Sequence, residues 1–240
     1  DYIIDFRHRI NSKMELVFLH FIYRNQKFIY TVHSSRLETY LTDNNWIAKQ
    51  MIQKACKIVS VSNFIKQKIE TKFNAKSVVV IPNSVCIRSI STAEKLPFDY
   101  IIAVGRLVPL KQFAQLIESY ANSDLPEKNI HLVILGTGEE QDKLEKKITD
   151  LNLEDKVHLL GFKENVWDYI SNAKFLVLSS QYEGFPMTIL EALSLGIPVI
   201  SFDCESGPNE MIINNHNGIL VENQNFTELT HKMNIFVKDE

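Results

Sequence analysis

At 240 residues, 45% of them hydrophobic and 23% charged, the chain has an ordinary globular composition and length for one large domain or two small ones. A net charge of −3 and a pI near 6.2, with basic residues spread along the chain, argue against nucleic acid as a partner. No apolar stretch approaches the roughly 18 residues of a membrane span, and no signal-like start is visible.

Tyr2-Ile3-Ile4 is strand-like and opens abruptly with no initiator methionine before it, so the chain is expected to begin within a fold. Residues 14–24 read as helical or mixed. Lys27 to Val32 is rich in β-branched and aromatic residues and reads as a strand. His33 at its end is either a half-buried structural histidine or a site residue. Arg36 to Cys56 reads as helix and Lys57 to Val61 as strand. Ser62 is a plausible N-cap for a helix over Asn63 to Phe73, and Ser77 to Ile81 is a strand closed by Pro82-Asn83-Ser84. Residues 85–97 are polar and irregular and mark a boundary.

Downstream of that boundary lies a complete series of strands and helices. Strands are expected at Tyr100 to Val104, Ile130 to Leu135, Val157 to Leu160, Phe175 to Leu178, Val199 to Ser201 and Ile219 to Val221. A helix over Lys111 to Asn122 sets Phe113, Leu116, Ile117 and Tyr120 on one face, and one over Glu139 to Leu151 does the same with Leu144, Ile148 and Leu151. Apolar strands between amphipathic helices imply a parallel, Rossmann-like α/β layer covered on both sides, with right-handed crossovers. The three cysteines, Cys56, Cys86 and Cys204, lie far apart and read as reduced, buried thiols of the cytosol, without metal or disulfide spacing.

The candidate chemistry tracks the strand ends. Gly105-Arg106-Leu107 with Lys111 places a guanidinium and an ammonium on a turn and a helix start, a pair suited to a diphosphate. Lysine in a first turn opposes the helix dipole, a local cost that a bound anion relieves. Gly136-Thr137-Gly138 allows a sharp turn and close approach to a ligand, and Gly161-Phe162-Lys163 offers an aromatic or backbone edge for a base. After Phe175 to Leu178 come Glu183-Gly184-Phe185-Pro186 and a helical stretch from Met187 and Thr188 through Glu191 to the stop at Gly196-Ile197-Pro198. The first N–H groups of that helix suit an anion. Glu183 and Glu191 are acceptor-only groups that suit sugar hydroxyls. An unpaired carboxylate among apolar residues costs several kcal/mol or so, so Glu191 is expected to have a partner. Asp203 to Pro208 forms a loop that could cover the site.

These motifs, with Asn217-Gly218-Ile219-Leu220-Val221, occur in the order and spacing of the retaining GT-B glycosyltransferases of family 4, and the chain resembles that family over Tyr100 to Val221. Upstream, Tyr30-Thr31-Val32-His33-Ser34, Val59 to Ser62 and Ile81 to Val85 resemble the second half of its acceptor domain. The resemblance implies a partial N-terminal acceptor-side Rossmann-like domain over 1–88, a linker over 89–97 and a complete nucleotide-sugar-binding Rossmann-like domain over 98–240. It implies that Arg106 and Lys111 bind the diphosphate, with Met187 and Thr188 supplying backbone amides. Glu191 would hold the ribose, and Gly105, Gly136 and Phe162 would belong to the same nucleotide site. Glu183 would face the donor sugar with backbone contacts from Gly184, Phe185 and Pro186, and His33 would reach the donor. His33, Glu183, Arg106 and Lys111 are the implied catalytic set.

The implied reaction is transfer of a hexose or N-acetylhexosamine, with retention, from a nucleotide sugar to a glycan or lipid-linked acceptor in surface polysaccharide biosynthesis. The nucleotide sugar is a substrate, and no cofactor or metal is implied. Uridine is preferred from relatives carrying the Ser206-Gly207-Pro208 loop. A cytoplasmic location is implied, with peripheral association at the membrane through an N-terminal region not present here. Gln112 departs from the glycine that often follows the lysine in the family. The family's first strand and glycine-rich loop and its final crossing helix are also absent, so a fragment of a longer enzyme is expected, and a nucleotide-sugar-binding module inactive by itself is the alternative. An NAD-dependent oxidoreductase is the remaining alternative from the Rossmann-like layer alone. It lacks the three-glycine fingerprint and the acidic residue about 20 positions on.

Overall fold

The computed structural model describes residues 2–8, 11–86 and 95–237. The chain forms two units, one of Asp1–Asn83, Tyr182–Phe185 and Glu205–Glu210, the other of Ser84–Gln181, Pro186–Cys204 and Met211–Glu240. Most of the expected linker, 89–94, lies outside the described residues.

The first unit is built on a parallel sheet of β1 (Tyr2–Asp5), β2 (Lys27–Val32), β3 (Lys57–Ser60) and β4 (Val78–Val80), in that spatial order. Between strands run α1 (Ser12–Val17), which continues as a π-helical turn over Phe18–Ile22, then α2 (Glu38–Leu41), α3 (Asn45–Lys54) and α4 (Asn63–Phe73). The single helix expected over 36–56 is two. Thr42 takes a left-handed φ of 69°, and Asn44 then caps α3, its side chain accepting from the N–H groups of Trp46 and Ile47 at 3.1 and 3.2 Å. Ser62 caps α4 as its sequence position implies, accepting from Ile65 N–H at 3.2 Å. At the start of the unit Arg7 forks onto Asp5 at 3.1 and 2.9 Å, reaches Glu15 at 3.3 Å and lies 3.7 Å over the Phe18 ring. It thereby ties β1 to α1.

Two later stretches of chain complete this unit. Glu210 accepts from the backbone N–H groups of Asn63 and Phe64 at 2.8 and 3.1 Å, satisfying free donors at the start of α4. The Ser206 and Ser62 hydroxyls lie 2.7 Å apart, and Ser206 also donates to the Gly184 carbonyl at 2.6 Å. The loop expected to cover a ligand is thus partly a structural element of the first unit.

The second unit holds a six-stranded parallel sheet in the order β10-β9-β8-β5-β6-β7. Its strands are β5 (Tyr100–Val104), β6 (His131–Leu135), β7 (Val157–Leu159), β8 (Leu176–Leu178), β9 (Val199–Phe202) and β10 (Gly218–Val221). The helices are α5 (Phe113–Ala121), α6 (Gln141–Asp150), α7 (Val166–Ser171), α8 (Met187–Ser194), α9 (Pro208–Met211), which begins in the first unit, and α10 (Phe226–Phe236). One face of the sheet packs Ile101, Ala103, Leu132 and Ile134 under Phe113, Leu116, Ile117, Tyr120, Leu144 and Ile148. The other packs Tyr100, Ile102, Val133 and Leu135 with Tyr169, Ile170 and Ile189. Each such buried side chain is worth about 1.5–3 kcal/mol. The expected apolar faces of α5 and α6 are those that bury, except that Leu151 sits at the end of α6 and is 36% exposed. The cysteines do not share one environment, for Cys204 is buried but Cys56 and Cys86 are exposed.

Candidate functional site

In the second sheet β5 and β8 are neighbours, with β6 and β7 leading away on one side and β9 and β10 on the other. Loops leaving β5 and β8 therefore turn apart at their carboxyl ends and open a crevice, the place where ligands bind in such sheets. The first unit's described strands run in simple sequence order and make no such reversal.

The loops after β5 and β6 are laced by their backbones. Gly105 N–H donates to Leu135 at 2.9 Å, Leu107 N–H to Thr137 at 2.9 Å and Glu140 N–H to Leu107 at 3.0 Å. A Cβ on Gly136, whose φ is +138°, would stand 1.9 Å from the Gly105 carbonyl oxygen, and one on Gly138 would stand 2.3 Å from that of Leu107. Both glycines are required by contact between backbones, beyond the ligand approach expected of them. Lys111 is not in the first turn of α5. It ends a short 3-10 turn, Pro109–Lys111, and Gln112 with φ 54° separates it from Phe113, so the expected conflict with the helix dipole does not arise. The Lys111 stem crosses Gly105, its Cε only 3.0 Å from where a Cβ there would lie. The Ser179 hydroxyl, at the end of β8, fixes this turn by donating to the Lys111 carbonyl at 2.7 Å.

On the other side of the crevice α8 begins at Met187 after Pro186, and no side chain caps it. Its leading N–H groups carry the partial positive charge of a helix start. Met187 and Glu191 are four residues apart and so share a face. Both line a cavity of about 330 Å³ together with Gly105, Arg106, Gly136, Phe162, Lys163 and Thr188, with Val104, Leu135 and Val166 as apolar wall. Burial pushes the Glu191 carboxyl above its ordinary pKa. The partner expected for it is absent: among the described residues no hydrogen bond or ion pair to its carboxylate is found. The cavity thus offers a guanidinium, uncapped helix amides and an acceptor-only carboxylate around an apolar wall. That set can hold an anion at one end and hydroxyls at the other.

The sequence candidates fall into two groups. Gly105, Arg106, Gly136, Phe162, Met187, Thr188 and Glu191 line this one cavity, with Lys111 adjoining it over Gly105 and Pro186 at the head of α8. His33, Glu183, Gly184 and Phe185 belong to the first unit. There a Cβ on Gly184 would stand 1.9 Å from the His33 carbonyl oxygen, Glu183 N–H donates to Glu205 at 3.0 Å, and Phe185 packs against the core of β2, α2 and α4. Phe162 is 72% exposed, unusual for a phenylalanine and consistent with a wall that meets a flat ring. No sequence motif singled out Val104 or Val166. The first is found by taking every residue at a strand's carboxyl end, whereas the short α7 that holds the second carries no periodic signal. Among the described residues no group of three or more His, Cys, Asp or Glu side chains is arranged to hold a metal ion.

Residues 89–240 match the family model described as glycosyl transferases group 1. The chain is 31% identical over 207 residues to the lipopolysaccharide 1,6-galactosyltransferase of Escherichia coli K12, covering 84% of this chain and 53% of that protein. It is 30% identical over 189 residues to the poly(ribitol-phosphate) alpha-N-acetylglucosaminyltransferase of Staphylococcus aureus, covering 77% and 38%. Among solved structures, S. aureus TarM, crystallised with fondaparinux, alpha-GlcNAc-glycerol and UDP, superposes with a TM-score of 0.78 at 25% identity, over 90% of this chain and 44% of that one. The chain spans about half the length of the first curated relatives it matches, 52%, 52% and 53%.

Proposed function

The chain belongs to the glycosyl transferases group 1 family, and on that premise we propose that it is the donor-binding portion of a retaining hexosyltransferase. Its substrate is a nucleotide sugar, most simply UDP-linked, and its product a surface glycan or lipid-linked saccharide. The observation that carries this reading is the cavity at the β5/β8 reversal, where Arg106, the start of α8 and Glu191 converge. The diphosphate lies on Arg106, Lys111 and the Met187 and Thr188 amides, the ribose hydroxyls on Glu191, and the base along Gly161 to Lys163. A pyrimidine suits the last, because Phe162 supplies an apolar face and Lys163 donates only, toward ring carbonyls. A carboxylate without a protein partner is a group held ready for ligand hydroxyls.

In the first unit Glu183, Gly184 and Phe185 face the donor sugar beside His33, whose carbonyl touches Gly184. In the proposed step the bond from the sugar's anomeric carbon to the diphosphate breaks and a bond to the acceptor oxygen forms on the same face. The acceptor's proton passes to the leaving diphosphate. No protein base is needed, and Arg106 and Lys111 stabilise the departing charge. Among the described residues no helix is long and apolar enough to cross a membrane. We place the enzyme on the cytoplasmic side, where nucleotide sugars are held, in peripheral association with the membrane.

The test is a thermal shift of this chain with UDP and UDP-hexoses at millimolar concentration. Stabilisation by UDP that Glu191→Ala removes is the expected result. A flat response to every nucleotide sugar would overturn the assignment. Activity on an acceptor in the longer protein but not in this chain would make the chain a binding module alone.

A further inference from the structure

At the carboxyl edge of the first sheet, Phe6, Arg7 and His8 follow β1 and His33 follows the adjacent β2. Tyr40 on α2 stands between the two imidazoles, its ring centroid 4.9 Å from that of His8, edge-on at 82°, and 5.7 Å from that of His33. The Tyr40 hydroxyl and His8 Nε2 are 2.9 Å apart, within hydrogen-bond distance. Phe6 also packs on His33, at 5.9 Å between centroids. The His33 ring therefore has aromatic neighbours from two elements, and its backbone carbonyl carries Gly184.

His33 Nε2 is itself buried and has no hydrogen-bond partner among the described residues. Burial, and then the charge of His8, lower its pKa from the ordinary imidazole value. A buried imidazolium without an anion is expensive, whereas a neutral ring awaiting one hydroxyl is not. The other charged or titratable groups around this edge are Arg36, stacked 4.2 Å over the Tyr182 ring, Glu38 on α2, and Glu183 beside Gly184.

We propose that Tyr40, tethered through its hydroxyl to His8, is a positioning residue that fixes the His33 ring so that Nε2 meets a donor-sugar hydroxyl as a neutral hydrogen-bonding group. The inference rests on the glycosyltransferase reading of His33 and assigns new roles only to Tyr40 and His8. A ring turned even slightly away would miss the hydroxyl, and misplacements of about 1 Å cost on the order of a hundredfold in rate.

The test has two arms. NMR titration of the His33 ring in the uncomplexed chain is expected to move up, toward the ordinary imidazole value, in Tyr40→Ala and His8→Gln. Tyr40→Phe, which keeps the wall and removes the tether, should give an intermediate shift. Release of UDP from a UDP-hexose with water as acceptor should fall about tenfold or more in kcat for Tyr40→Ala with KM little changed, and its acid limb should move to higher pH. A His33 titration indifferent to all three changes overturns the positioning role. So does an unaltered pH profile, or a His33→Ala chain that hydrolyses the donor as fast as the parent. Failure of the parent chain to respond to UDP at all would instead count against the nucleotide-site reading.

Discussion

Gln112 and Gln224 hold each other by a reciprocal pair of side-chain hydrogen bonds, the Nε2 of each donating to the Oε1 of the other at 2.8 and 2.9 Å. Both have left-handed backbones, φ 54° and 66°, and Gln112 is buried. The pair joins the turn that ends in Lys111 to the loop before α10. This is how the chain tolerates a residue where glycine would relieve strain: the side chain offsets a cost of about 1–2 kcal/mol with two neutral hydrogen bonds of about 1 kcal/mol each. Gln112→Ala keeps the strain and loses the bonds, so it should destabilise the second unit by about 2 kcal/mol in urea unfolding. Gln112→Gly should cost less.

Glu191 sets ligand affinity against stability. Its carboxyl is pushed up by burial, so the folded chain binds that proton more tightly than the unfolded one and the ionised group destabilises the fold at neutral pH. Glu191→Gln should raise the melting temperature of the ligand-free chain by about 2–4 °C per kcal/mol recovered, and should abolish the stabilisation given by UDP. Acidifying the parent chain should weaken UDP through protonation of Glu191 at a higher pH than for an ordinary glutamate. Thermal melts with and without UDP across pH 4.5–7.5 read both effects.

Two glycines of the crevice should respond differently to one added methyl group. At Gly136 the group meets the Gly105 carbonyl at 1.9 Å on a backbone with φ +138°, so Gly136→Ala should cost more than about 3 kcal/mol and remove nucleotide binding with it. At Gly105 it meets only the flexible Lys111 stem at 3.0 Å. Gly105→Ala should therefore fold within about 1 kcal/mol of the parent while weakening UDP by moving the ammonium. Calorimetric titration beside urea unfolding separates the two.

His131 Nδ1 and His158 Nε2 lie 2.9 Å apart, and Phe98 stacks on both rings at 4.0 and 4.7 Å. Such a contact needs one donor and one acceptor, so it cannot survive with both rings charged. Burial lowers both pKa values, and for His131 the charge of His158 lowers it further. The unfolded chain thus takes up protons first: the contribution of the pair is complete above about pH 6.5 and is lost as pH falls below it. His158→Gln should flatten the urea midpoint between pH 7.5 and 5, whereas the parent's should drop.

Much of the fold was legible in the sequence because apolar runs of strand length and helices with a 3.6-residue apolar face declare a covered parallel sheet. The strands of the second unit lie within a residue or two of their expected bounds, and the faces of α5 and α6 bury as their spacing implies. Where reading by pattern failed, the cause was local. Thr42 and Gln112 adopt left-handed backbones that their residue types do not advertise, so one expected helix became two and Lys111 moved out of the start of another. Solvent access at Cys56 and Cys86 depends on neighbours distant in sequence, which composition does not encode.

By itself the sequence determined the class of chemistry on offer: cations after one strand, a helix start and carboxylates after another, in an order that belongs to one enzyme family. Only the tertiary structure decided which of them act together. The strand reversal between β5 and β8 gathers Arg106, Phe162, Met187 and Glu191, up to 85 residues apart in sequence, around one cavity. Chain segments that adjoin each other directly are instead divided, so that Glu183 to Phe185 join His33 while Pro186 opens α8 in the other unit. The physical reason is that side-chain chemistry is a property of each residue, whereas partnership depends on which backbones can approach, as at Gly136 on Gly105 and Gly184 on His33.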